Sequence, residues 1–137
     1  MADTVKRVDY YYTYCPNRPG EGARMLGVLK KAKVNLLAFT GFPQGGRAQL
    51  DFIPKNAAAF LRVARKAKWK ISSKKTGFLV QGKDRLGACA DFMQKLAAAR
   101  INVTAVDAVS AGAGRYGAIF WVKPRDVKRA AKVLRAR

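Results

Sequence analysis

Polar and apolar positions recur with a helical period in four stretches of the chain and give way to β-favouring runs between them. Val8 to Tyr14, rich in tyrosine, reads as a strand. Pro19-Gly20 ends it and begins a helix to about Lys33, with Pro suited to the first helical turn because its missing N–H is not needed there. Val34 to Phe42 is the next strand, Pro43-Gln44-Gly45-Gly46 a turn, and Arg47 to Ile53 a strand. Pro54-Lys55-Asn56 caps a second helix, on which Phe60, Leu61, Ala64 and Ala67 alternate with Arg62, Arg65, Lys66 and Lys68. Trp69-Lys70-Ile71 is a short strand. The pattern then runs again: strand Phe78 to Gln81, helix Gly87 to Arg100, strand Ile101 to Ser110, turn Ala111 to Gly114 and strand Tyr116 to Val122. Pro124-Arg125-Asp126 opens a last helix to the C-terminus, with Val127, Ala130, Ala131 and Leu134 against Lys128, Arg129, Lys132 and Arg135.

The recurrence extends to particular residues. Asn17-Arg18-Pro19-Gly20 precedes the first helix and Val34-Asn35-Leu36 follows it; Asp84-Arg85-Leu86-Gly87 and Ile101-Asn102-Val103 stand likewise around the third. The offset is constant, since 87 − 20 and 102 − 35 are both 67. A fixed offset through turn, helix and strand marks two copies of one supersecondary unit. The expected fold is therefore α+β, with two tandem βαββαβ (ferredoxin-like) units of antiparallel sheet with helices on one face, over residues 1–73 and 74–137. The second copy ends without a final strand. Thr4 to Val8 are free to fill that edge, or a partner chain does so.

At these residues the chain resembles the ACT domain family, in particular small stand-alone proteins of two tandem ACT domains. The shared pattern is an Asn/Asp-Arg-Pro-Gly turn after the first strand, an apolar helix, and a Val/Ile-Asn-Ile/Leu opening of the second strand. The first copy fits closely; the second carries Leu86 in place of Pro. The resemblance implies a regulatory protein that binds an amino acid or related small metabolite and is not itself an enzyme. In serine-binding members similar to the first copy, the turn Asn and the strand Asn hold the ligand; these positions are Asn17 and Asn35 here. Cys15 stands where those members often have His. The candidate ligand-binding set is Cys15, Asn17, Arg18, Gly20 and Asn35, with Asp84, Arg85, Gly87 and Asn102 in the second copy. Asp84 in place of Asn makes the second copy the more degenerate one, although its carboxylate still suits an ammonium. Tandem ACT proteins associate through sheets or helices, so a homodimer is expected.

The motif has its own physical logic. A helix N-terminus presents free N–H groups and partial positive charge to a carboxylate. Asn offers both donors and an acceptor to a zwitterion. Gly20 permits a backbone conformation that a side chain opposes. In the bland reading Gly20 and Gly87 only let the chain turn, and Asn35 and Asn102 only satisfy loop backbone.

Charge adds a second theme. Lys and Arg number 28 against 8 Asp and Glu, a net charge of +20. Both basic helices read as amphipathic with a solvated cationic face, and a surplus of this size implies non-specific nucleic-acid or polyanion binding. A rival reading makes the chain a nucleic-acid module: Tyr10, Tyr12 and Tyr14 share a strand face, and Arg115 to Val122 resembles the aromatic strand of RNA-recognition motifs. Chemistry is poorly supplied. There is no His, and Cys15 and Cys89 lack metal or redox spacing. Cys89 shares a helical face with Phe92, Met93 and Leu96 and reads as a core residue. No catalytic residue, metal or cofactor is indicated. With no run long enough for a membrane helix and no apolar leader, a cytoplasmic protein is expected.

Overall fold

In the computed structural model, residues 3–137 are described; Met1 and Ala2, at the start of the expected 1–73 unit, lie outside the described residues. The architecture is α+β with antiparallel strands. In order, the elements are β1 (Thr4–Pro16), α1 (Glu21–Lys31), β2 (Leu36–Gln44), β3 (Arg47–Pro54), α2 (Ala57–Lys66), β4 (Lys75–Lys83), α3 (Ala88–Ala98), β5 (Val103–Gly112), β6 (Arg115–Val122), a 3-10 turn (Pro124–Asp126) and α4 (Val127–Leu134). Chain contacts divide these elements into a unit of Asp9–Lys75 and a unit of Thr76–Arg137 that also takes the chain up to Val8.

In the Asp9–Lys75 unit the strand order is β2-β3-β1. Antiparallel register pairs Tyr11 with Phe52, Thr13 with Leu50 and Cys15 with Ala48. Tyr11, Cys15, Leu50 and Phe52 therefore share a face, and they are buried in one cluster with Met25 and Leu29 of α1 and Phe60 and Ala64 of α2. Phe52 is fully buried at its centre, with ring centroids 5.3 Å from both Phe39 and Phe60 and 6.0 Å from Trp69. The short strand expected at Trp69-Lys70-Ile71 does not form. Side chains hold that segment beside β1 instead of a backbone ladder. Ser72 N–H donates to the Tyr12 carbonyl at 2.9 Å, but Tyr12 N–H donates to the Ser72 hydroxyl at 3.0 Å and the Thr13 hydroxyl donates to the Lys70 carbonyl.

The other unit has the order β1-β4-β6-β5. Phe78 lies opposite Phe120 and Val80 opposite Ala118. These four pack on Phe92 and Leu96 of α3 and Ala130, Ala131 and Leu134 of α4. Cys89 packs at the edge of this cluster, as the helical spacing implied. The position next to β4 is taken by Thr4–Val8, with Val5 in the same core. Arg137 N–H donates to the Val5 carbonyl at 3.0 Å, and Arg7 N–H returns to the Arg137 carbonyl at 3.1 Å, so the two ends of the chain are tied together. The strand absent after α4 thus comes from the N-terminus, and the sequence-based division at 73/74 is modified: residues up to Val8 group with the later unit.

The helix ends carry matching backbone features at the same offset. Gly20 and Gly87, with φ of 91° and 73°, cap α1 and α3 in the left-handed conformation. Pro19 consequently stands outside α1 and not in its first turn, as the sequence suggested. At the other ends, Lys33, Lys68, Arg100 and Arg135 adopt positive φ of 61°, 61°, 58° and 54°. Each donates to the carbonyl three residues back, and the residue after it donates to the carbonyl five back, as in Val34 N–H to Leu29 at 2.9 Å and Ile101 N–H to Leu96 at 2.9 Å. The offset of 67 holds here too, for 100 − 33 and for 135 − 68. None of the helices among the described residues is long and apolar enough to cross a membrane.

Two expected outcomes test this picture. Lys33→Val places a β-branched side chain at a left-handed position and lowers stability by about 1–2 kcal/mol in urea unfolding, while Lys33→Gly is tolerated. Val5→Ala removes buried volume from the later unit's core and costs about 2 kcal/mol by the same assay.

Candidate functional site at the turn-helix junctions

The two repeated turns differ from the start of α2. The Asn56 side chain caps α2, its Oδ1 accepting Ala59 N–H at 3.0 Å. Neither α1 nor α3 has a side-chain cap; the first N–H of each turns back on the loop, Glu21 to the Arg18 carbonyl at 3.4 Å and Ala88 to the Arg85 carbonyl at 3.3 Å, and the N–H groups that follow are left for water or a ligand.

In the second copy the junction lines an open depression of about 310 Å³. Asp84, Arg85 and Gly87 line it from the turn, Cys89 from α3, and Ser110 and Tyr116 from β5 and β6. Asp84 is exposed; its N–H donates to the Gly114 carbonyl at 2.8 Å and its Oδ2 accepts the Ser110 hydroxyl at 3.1 Å. Arg85 is held on several sides. Its Nη1 donates to Asp3 Oδ1 at 3.0 Å and to the Lys83 carbonyl at 2.9 Å, and its Nη2 to Asp91 Oδ2 at 2.7 Å. The Tyr116 hydroxyl donates to Asp3 Oδ2 at 2.7 Å. Gly82 makes room for this network, since a Cβ there would collide with Asp3 Oδ1. Burial pushes the Asp3 carboxyl up, but the hydrogen bonds from Arg85 and Tyr116, and the charges of Arg85 and Lys95, outweigh it and hold the group below its ordinary value. Burial, then the bond to Asp3, raises the Tyr116 phenol. Arg85 is thereby a fixed, largely neutralised strut of the turn and not a free anion clamp.

In the first copy Asn17, Arg18 and Gly20 are exposed. Glu21 accepts from Arg24 at 2.9 Å and from Arg18 at 3.1 Å, and these hydrogen bonds, Arg24 first, lower its carboxyl. Cys15 is buried in the core and does not face the turn's solvent. Asn35 is exposed, its carbonyl accepting Lys55 N–H at 3.0 Å, and it lines a shallow depression with Lys30 and Lys33. Asn35 and Gly20 sit beyond opposite ends of α1, whose 11 residues span about 16 Å. The exposed Asn102 likewise stands beyond the far end of α3 from Gly87 and does not line the cavity. The structure thus brings Asp84, Arg85 and Gly87 together and separates both strand-opening Asn residues from the turns.

Sequence reasoning missed Asp3, Ser110 and Tyr116. The pairing of Ser110 with Tyr116 across β5 and β6 needs the register, and Asp3 lies 82 residues from Arg85. The aromatic strand of the rival reading proves to be core: Phe120 is fully buried and Trp121 nearly so, leaving neither ring for base stacking. Tyr10, Tyr12 and Tyr14 do share a face but are only half-exposed, and burial, with Asp51 and Tyr12, pushes the Tyr10 phenol up to about 12.

No family profile and no curated protein matches this sequence. Solved structures do match in fold. A protein from Bacteroides thetaiotaomicron superposes with a TM-score of 0.81 at 14% identity, over 96% of this chain and 88% of that one. The regulatory subunit of aspartate kinase from Thermus thermophilus gives 0.65 at 14% identity, over 98% and 95%. Its counterpart from Thermus flavus gives 0.60 at 14%, over 98% and 95%. The fold is accordingly ACT-like.

Asp3 gives a pH dependence with a definite sign. Its depressed folded value means that its contribution to stability is present above the unfolded carboxylate pKa, about 3.9, and is lost as pH falls through the folded value. Wild type is therefore expected to be more stable than Asp3→Asn at neutral pH, with the gap closing below about pH 4 in chemical unfolding. Gly82→Ala displaces Asp3 and should reproduce the Asp3→Asn behaviour in the same titration.

Proposed function

We propose that this chain is a small-molecule-binding regulatory protein of the tandem ACT type, sensing an amino acid or related metabolite at its turn-helix junctions. The observation that carries the reading is the cavity at the start of α3, where an uncapped helix N-terminus and an exposed carboxylate face one space. The two suit the two ends of a zwitterion: the helix N–H groups take the carboxylate, and Asp84, oriented by Ser110, takes the ammonium. A volume of about 310 Å³ fits a ligand of that size. The Asp3–Arg85–Asp91 bridge fixes the turn without consuming Asp84. The ACT-like fold, shared with regulatory subunits of aspartate kinase, supports a regulatory role.

In this reading the first copy offers Asn17, Arg18 and Gly20 as a second junction. Asn35 and Asn102, beyond the far ends of their helices, meet a ligand at a turn when a second chain brings them alongside. The protein then works as a homodimer without catalysis of its own. The edges available for pairing are β2 and β5, the latter exposed along most of its length, with Val109 66% exposed.

Calorimetry against the standard amino acids is expected to find a ligand, and Asp84→Ala to weaken it about tenfold or more, the loss of one charge-assisted hydrogen bond. Absence of any amino-acid binding at millimolar concentration overturns the reading. Sedimentation equilibrium should give a dimer, and a monomer throughout a dilution series removes Asn35 and Asn102 from the site.

A further inference from the structure

From Phe52 to Lys83 the chain carries nine cations and no carboxylate. Eight of them are exposed, seven within Lys55–Lys74 (Lys55, Arg62, Arg65, Lys66, Lys68, Lys70 and Lys74), and among the described residues none of the eight forms an ion pair. The pairs that do occur take up Arg18, Arg24, Arg85 and Arg129. The duplicated scaffold supplies an internal comparison. Arg129 of α4, the counterpart of Arg62, donates to Asp126 at 2.8 Å and to the Ala99 carbonyl. Arg62 has no such partner among the described residues.

Helix stability does not account for this face. Arg65 and Lys66 in the last turn of α2 complement its dipole, but Lys55, next to the N-cap, opposes it. Arg62 stands three and four residues from Arg65 and Lys66, a like-charge arrangement that costs free energy. An external anion relieves both effects. The apolar side of α2 is spent in the core through Phe60 and Ala64, fully buried, so the helix has no apolar stripe to insert into a lipid surface. Nor does the cationic face display the apolar centre of a protein interface. A polar, strongly positive surface is what a nucleic-acid backbone requires.

We propose that the outer face of α2 and the segment that follows it, from Lys55 to Lys74, binds the phosphodiester backbone of a nucleic acid. Binding there is sequence-tolerant and independent of the amino-acid cavity. It is also distinct from an aromatic-strand mode, because the β6 rings are buried.

The test is fluorescence anisotropy of a labelled oligouridylate with the full chain, between about 50 and about 200 mM salt. Arg62→Glu/Arg65→Glu/Lys66→Glu is compared with Lys123→Glu/Lys128→Glu/Lys132→Glu, which lowers the net charge from +20 by the same amount at another place. The α2 variant should lose about tenfold or more in affinity and show a salt slope shallower by about two, the value for three lost single-strand phosphate contacts, while the other stays near wild type. The glutamine triple at the α2 positions, folded by melting temperature, should show a smaller loss in the same direction. Equal losses in both glutamate variants assign binding to net charge and overturn the proposal. So does an absence of RNA binding at the lower salt, or tight binding to phosphatidylserine vesicles with none to RNA.

Discussion

A sheet can support two helices on one face only if its inner strands are paired on both sides. In the Thr76–Arg137 unit this requirement is met by Thr4–Val8, the first described strand residues of the chain. β1 therefore serves two cores: Val5 is buried with Phe78, Phe92 and Leu134, whereas Tyr11 and Cys15 are buried with Phe52 and Phe60. The bonds between Arg137 and the backbone of Val5 and Arg7 hold that strand in place. Asp3, one residue before β1, then falls where Arg85 and Tyr116 reach it, so the geometry of the candidate cavity follows from the closure of the sheet.

The two recurring segments share backbone features and differ in their polar side chains. Both pairs of helices end in a left-handed Lys or Arg, and both repeated turns place a left-handed glycine at an uncapped helix start. These are constraints of chain geometry and are insensitive to surface chemistry. What differs is the polar decoration. The first turn satisfies its Arg through a neighbouring Glu21 on the surface, while the second satisfies its Arg through Asp3 and Asp91 and keeps Asp84 exposed. Arg129 of α4 is likewise committed to Asp126, whereas its counterpart Arg62 on α2 has no ion-pair partner among the described residues.

The order of strands and helices, the repeat and the separation of charge from core were legible because each is local or periodic. Amphipathic spacing placed Phe60 and Ala64 of α2 and Ala130, Ala131 and Leu134 of α4 in the core, although Ala67 is exposed, and Asn56 was recognisable as a cap. The failures also have physical causes. Trp69-Lys70-Ile71 has strand-like composition, yet Ser72 and Thr13 hydroxyls replace the ladder bonds that would make it one. Pro19 suits a helix start, but the left-handed Gly20 after it moves that start to Glu21.

By itself the sequence determined the α+β class, the recurring turn-helix-strand spacing and the residues that stand at the candidate junctions, since spacing and backbone preference are encoded in neighbouring residues. Only the tertiary structure decided which candidates share a space. Asp84 is joined by Ser110 through strand register, Arg85 is locked by a residue 82 positions away, and Asn35 and Asn102 are set apart from the turns by the length of a helix. Strand pairing and ion pairing act across the folded chain without regard to sequence distance, which is why no local pattern announced them.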